Sequence, residues 1–287
     1  MASTGTKVAT GCGIGCLLLV LIVGGVGTCG YFGVRSAIDN AEDMGDTFEV
    51  MAERWGDIED HVPNIDGTIA PDRMSLFISV REDLVLRSTE TIEIVSTLDG
   101  DANFIAKTRA GLRLIPALLN FLALRNTILL EQDMSPGEYV YIYNAAYYGL
   151  IGIDPGDGPG FQLNGNGHGH GGDNDGFNWQ TDVGNRDDGW ENEDRERRVG
   201  ESLNKMIRPM LKNMKRTLAD DSTVDPSWLS ALDDEIDALA HDYSRRPWED
   251  GLPTPLAASI EPFWGQLEAA YEPYLNALEM ATIDESD

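Results

Sequence analysis

From Val8 to Val34 the chain carries no charged side chain, and Leu17 to Val23 within that run are aliphatic throughout. About 20 apolar residues cross a bilayer as a helix, which satisfies every backbone N–H and C=O inside the segment. Residues 8–34 are therefore expected to form a single N-terminal transmembrane helix, with the rest of the chain displayed at the membrane. A cleaved signal peptide begins in the same way. The uncharged run is longer than a signal core, however, and Gly24 to Cys29 continues it without an Ala-x-Ala site. Lipidation at Cys29 is a further alternative, although Gly27 and Thr28 make a poor approach sequence. Lys7 and the terminal amine face Arg35 and Arg54 across the segment, a weak contrast that assigns a cytoplasmic N-terminus. The expected location is a prokaryotic inner or plasma membrane, with the C-terminal part extracytoplasmic. Residues 1–7 form a short tail, and no cytoplasmic output domain is expected. Gly11 and Gly15 have the G-x-x-x-G spacing that lets two membrane helices approach closely, which points to a possible homodimer; chance spacing in a glycine-rich segment is the alternative.

Charge limits the partners. There are 49 acidic against 21 basic residues, a formal net charge of -28, so no nucleic-acid partner is expected, because such binding depends on cationic contacts to phosphate. A saline habitat selects the same acidic surface. Cys12, Cys16 and Cys29 all lie in the apolar run, so the displayed part has neither an internal disulfide nor a thiolate metal site.

After the anchor, Ala41, Met44, Phe48, Met51, Trp55, Ile58 and Val62 recur at three- and four-residue steps. This predicts a juxtamembrane amphipathic helix within 35–66, weakened by Gly45 and Gly56. A first helical part is expected over 67–153. There, Asp72 to Leu98 reads as one helix, with a short strand around Thr91–Ile94 as its rival because of its β-branched residues. The stripe from Ile105 to Ile128 widens until most of the circumference is apolar, predicting a central buried helix that Pro116 kinks or begins. Ser135-Pro136-Gly137-Glu138 has the form of a helix start with a reciprocal cap. The helix it opens carries Tyr139, Tyr141, Tyr143, Tyr147 and Tyr148 around more than one face, suited to a core edge or a binding groove.

Residues 154–192 are dominated by glycine, asparagine and aspartate and are expected to be a flexible, disordered loop. A second helical part follows over 193–287. Its first helix, Glu193 to Leu218, concentrates basic residues, among them Arg208, Lys212 and Lys215; these either neutralise acidic neighbours in the same molecule or meet a partner. Asp225-Pro226 opens the next helix. A final helix is expected through Ile260, Trp264, Leu267, Tyr271, Tyr274 and Leu278, kinked at Pro273.

Chemistry is sparse in this chain. No cofactor is expected. His168, His170, Asp173 and Asp175 form the only cluster resembling a ligand set for a divalent metal, and the glycines around them make ordering such a loop costly. His61 and His241 have Asp60 and Asp242 beside them, acids able to orient an imidazole, although surface histidines are the plainer reading. No nucleophile elbow, phosphate loop or H-E-x-x-H pair occurs in the displayed part.

The expected fold is all-α: a single N-terminal transmembrane helix followed by an amphipathic helical bundle with a long Gly/Asn/Asp-rich loop. The expected function is a noncatalytic protein-interaction, assembly or chaperone-like module. It would be held in the membrane through 8–34 and meet a protein partner through surfaces including Tyr139, Tyr143, Arg208, Lys212 and Lys215. A carboxylate-dependent or metal-assisted envelope hydrolase is the alternative; it requires a histidine joined to two buried acids.

Overall fold

The computed structural model describes residues 47–99, 104–157, 189–218 and 225–279. Among them every regular element is helical, so the fold is all-α. The expected anchor at 8–34, with Gly11 and Gly15, lies outside the described residues. Among those described, no helix is long and apolar enough to cross a membrane.

Residues 47–55 form the first described helix (α1). It ends where Gly56 takes φ +74°, with its amide bonded to the carbonyl of Ala52 at 2.9 Å. Left-handed glycine is a helix terminator, so the heptad stripe does not run on as one helix to Val62. A 3-10 turn at Ile58–Asp60 follows. Met51 is buried, and Trp55 and Ile58 pack against the core.

The single helix expected from Asp72 to Leu98 is two: α2 (Pro71–Arg87) and α3 (Thr89–Asp99), broken at Ser88. The strand rival fails because Ile94, Val95 and Leu98 are all buried, a helical rather than alternating spacing. Ser96 and Thr97 return their hydroxyls to the Glu93 carbonyl, at 3.0 and 2.8 Å. Next comes α4 (Phe104–Glu131), which continues through Pro116 and packs along α3. It is not the central helix, because Asn120 is exposed and Leu119 and Leu124 are only partly covered.

The centre belongs to α5 (Pro136–Tyr143) and the π-helical segment Asn144–Ile151 that prolongs it, ending at Gly152 with φ +77°. Every residue from Tyr139 to Tyr148 is buried. This rod is contacted by α2, by the 3-10 turn and by the later helices. Its start is the one expected: the Ser135 hydroxyl accepts from the Glu138 amide at 3.1 Å. The Glu138 carboxylate, expected to reach back over the cap, grips Arg73 instead, with Nε donating to Oε1 at 2.6 Å and Nη2 to Oε2. Ser135→Ala is expected to lower stability by about 1 kcal/mol through loss of the cap, measurable as a shifted urea midpoint at unchanged slope.

Beyond residue 188 come α6 (Gly189–Leu218), which starts earlier than expected, and α7 (Pro226–His241), capped by Asp225 accepting from the Ser227 amide at 2.8 Å. The single final helix is instead α8 (Thr254–Ile260), a 3-10 turn at Glu261–Phe263, α9 (Trp264–Ala269) and α10 (Pro273–Glu279). Pro262 and Pro273 cannot donate a backbone hydrogen bond, and the ladder restarts at each. Buried side chains from before residue 158 and after residue 188 form one core.

Candidate functional site

The most concentrated chemistry lies inside the bundle, where α2, α4, α5 and α10 meet. Met74, Phe77, Arg81 and Leu84 share one face of α2 at heptad spacing, and all four are 0% exposed. An arginine on that face must be answered. Arg81 Nη1 donates to Tyr139 Oη at 3.0 Å and to Glu279 Oε1, and Tyr139 donates to the same carboxylate oxygen at 2.8 Å. Arg125 donates to the Glu279 carbonyl at 3.1 Å and reaches Oε2 only at 3.9 Å, an ion-pair distance rather than a hydrogen bond. Arg81 Nε and Nη2 find no hydrogen-bond acceptor among the described residues. The guanidinium carbon lies 5.2 and 5.6 Å from the ring centroids of Tyr143 and Tyr147, within cation–π range.

The π segment explains a second knot. In an α-helix, residues five apart are separated by about 140° around the axis. The i→i+5 bonding of a π-helix brings them to one side, so Tyr143 and Tyr148 both donate to Asn276 Oδ1, each at 2.8 Å. Asn276 Nδ2 in turn donates to the carbonyls of Pro155 and Asp157 at 3.3 and 2.9 Å. Asn276 and Glu279 stand three residues apart on α10, so one short helix inserts both polar groups while burying Leu275 and Leu278.

This arrangement holds charge; it does not present it. Burial would lower the Arg81 pKa, but Tyr139 and Glu279 outweigh it and keep the guanidinium well above its ordinary value. Burial pushes the phenols of Tyr139, Tyr141, Tyr143 and Tyr148 up, so they stay neutral; Tyr139, Tyr143 and Tyr148 donate hydrogen bonds, whereas the Tyr141 hydroxyl has no partner among the described residues. Tyr139 and Tyr143 are therefore core residues rather than the interaction surface expected of them. The other acid that is buried among the described residues, Glu235, accepts from the Trp248 amide at 2.7 Å and from Arg245 at 3.3 Å. Among the described residues, both buried acids thus answer arginines, and no hydrogen bond or ion pair there joins either to a histidine.

The histidines lie elsewhere. His61 is not a surface residue: it is half-buried beside Gly137 and the Tyr141 ring, 6.4 Å between centroids. Asp60 does not orient it, because its carboxylate accepts from the Asp57 amide at 3.1 Å. Exposed His241 donates through Nδ1 to the Asp237 carbonyl at 2.7 Å, while Asp242 accepts from the Ser244 amide and hydroxyl. Burial lowers the His61 pKa below 6.5, with Glu138 opposing and Arg73 adding to the shift. The unfolded chain then takes up a proton below about pH 6.5 that the folded chain refuses. The stabilising contribution of His61 is complete above that pH and declines as the pH falls toward the folded pKa. His61→Gln is expected to flatten the fall in Tm between pH 7 and pH 5; an unchanged slope would remove His61 as its source.

On α6, Lys215 pairs with Asp233 at 2.5 Å and Arg208 lies 6.0 Å from the Tyr243 ring centroid, whereas exposed Lys212 has no ion pair among the described residues. Internal complementarity thus accounts for part of this helix only. His168, His170, Asp173 and Asp175 lie outside the described residues, among which no group of three or more His, Cys, Asp and Glu side chains is placed to hold a metal. Arg81, Glu279, Asn276 and Glu235 were missed by sequence reasoning. The available signal was a charge at the i+4 position of an apolar stripe, Arg81 after Phe77. In comparisons with known proteins, the chain matches no family model, no curated protein and no solved structure.

Proposed function

We propose that this chain is a membrane-anchored, extracytoplasmic helical module that holds a protein partner without performing chemistry on it. The observation that carries this reading is at α1. Met51 is buried and Trp55 packs against the core, yet Phe48, on the same side one turn earlier, is 46% exposed. The apolar stripe of α1 therefore outruns the body that covers it, on the side of the chain that leads from residues 8–34. Arg54 ties α1 to Asp133 at 2.7 Å, which supports a fixed rather than a trailing approach. The described buried acids are engaged by arginines within the fold, which favours holding over catalysis.

The test is crosslinking and affinity capture of the full-length protein from its native membrane, repeated with Phe48→Asp and with a form lacking residues 1–34. A reproducible protein partner, kept by the shortened form and lost with Phe48→Asp, is the expected result. A wild-type capture without any partner, or a partner indifferent to Phe48→Asp, would overturn the reading; a second copy of the chain as the captured protein would make it a homodimer.

A further inference from the structure

We infer that the outer face of α6 is a docking stripe for an anionic bilayer surface, an inference that rests on the membrane-anchored reading above. Arg198, Lys205, Lys212 and Arg216 stand at i, i+7, i+14 and i+18 of α6, and at 100° per residue they fall within about 40° of one another along about 27 Å of helix. Leu203, Ile207, Met210 and Met214 are fully buried on the opposite side, so packing fixes the stripe outward. Lys205, Lys212 and Arg216 are exposed and Arg198 is half-buried. None of the four has a carboxylate at ion-pair distance among the described residues, and Arg216 donates to the Asn213 side chain.

Charge identifies the occupant. In a chain of net charge -28, a straight cationic stripe left open is complementary to an anionic plane. A protein partner would want an apolar or aromatic anchor at the centre of its interface, and from Arg195 to Leu218, the length that carries the stripe, α6 exposes no large hydrophobic side chain. A headgroup surface requires only positive charge. Tyr243, 67% exposed beside Arg208, is the kind of amphipathic ring that sits at headgroup depth. Residues 35–46 separate the apolar run from α1, a distance of about 18 Å if helical and about 40 Å if extended. The body is thereby confined near the bilayer, and contact with the stripe lays α6 on the headgroups, with exposed Glu201 at the stripe's edge paired to Arg197.

The experiment reconstitutes the full-length protein in phosphatidylcholine vesicles with and without phosphatidylglycerol, then measures flotation and the rate of lysine acylation by mass spectrometry. Acylation of Lys205 and Lys212 is expected to slow about threefold or more in the anionic vesicles and to recover at about 0.5 M salt, where the Debye length is short. Equal rates in the two vesicle types, or protection indifferent to salt, would overturn the stripe. Protection already present in neutral vesicles and growing with protein concentration would assign the face to a second copy and overturn it equally. The anchor is read separately: failure to float with neutral vesicles removes it. Flotation then confined to anionic vesicles, and lost in Lys205→Gln/Lys212→Gln, leaves the stripe standing alone, whereas flotation with neither type overturns both.

Discussion

Arg81→Met is expected to destabilise the protein by about 3–5 kcal/mol, the cost of leaving one partner of a buried ion pair uncompensated. Glu279 is buried, and Tyr139 alone then answers the carboxylate, with Arg125 at the 3.9 Å margin. At roughly 2–4 °C per kcal/mol for a body of this size, Tm falls by about 6–20 °C. Removing both charges in Arg81→Met/Glu279→Leu is expected to cost much less than the two single losses summed, because an apolar pair carries no desolvation penalty. The cycle is measured by urea unfolding of the four proteins. Strict additivity would mean that the two side chains do not act as a pair. The effect is also topological, since Arg81 and Glu279 join the helix that follows α1 to the last described helix, and α10 also supplies Asn276 to the tyrosines of the π segment.

Gly200→Ala is the second large effect, and its sign is the informative part. Alanine in an open helix interior gains about 1 kcal/mol over glycine. A methyl group at Gly200, however, would overlap the carbonyl oxygen of Ser244. The turn after α7 lies directly on α6 there and is pinned by Asn204, whose Nδ2 donates to the carbonyls of Leu239 and Asp242 at 3.0 Å each. Forcing the two elements apart is expected to cost about 1–3 kcal/mol net, the usual range for overpacking. Gly265→Ala on α9 is the control: nothing lies within 4 Å of its added carbon, so it should be neutral or stabilising by up to about 1 kcal/mol. If both substitutions stabilise, the close approach at Gly200 is wrong.

What could be read in advance was local. Ser135 and Asp225 are caps because a short side-chain oxygen before a proline satisfies an otherwise orphaned amide, and both act where the residue order placed them. The apolar face of α6 was legible because Leu203, Ile207, Met210, Met214 and Leu218 recur at three- and four-residue steps that match the helix, and all five are buried. The break at Ser88 was not legible, because residues 85–90 contain neither the glycine nor the proline that ordinarily marks the end of a helix. Nor was the centre of the molecule: α4 has the longer apolar run, but α5 and its π extension are surrounded, and no periodicity argument distinguishes a covered tyrosine from one at an edge.

The sequence by itself determined the helical class, the capped helix starts at Ser135 and Asp225 and the apolar faces of α2 and α6, since each depends on neighbours within a few positions and on one repeating angle. The tertiary structure decided which buried charges meet. Arg81 and Glu279 are separated by nearly the whole described chain, and nothing local to either makes it a partner of the other; only packing of α2 against α5 and α10 brings them into one desolvated space. It decided the use of the tyrosines in the same way. The change from α to π winding, which turns Tyr143 and Tyr148 toward a single asparagine, leaves no mark in the hydrophobic period, because it is selected by what those side chains reach and not by what surrounds them in sequence.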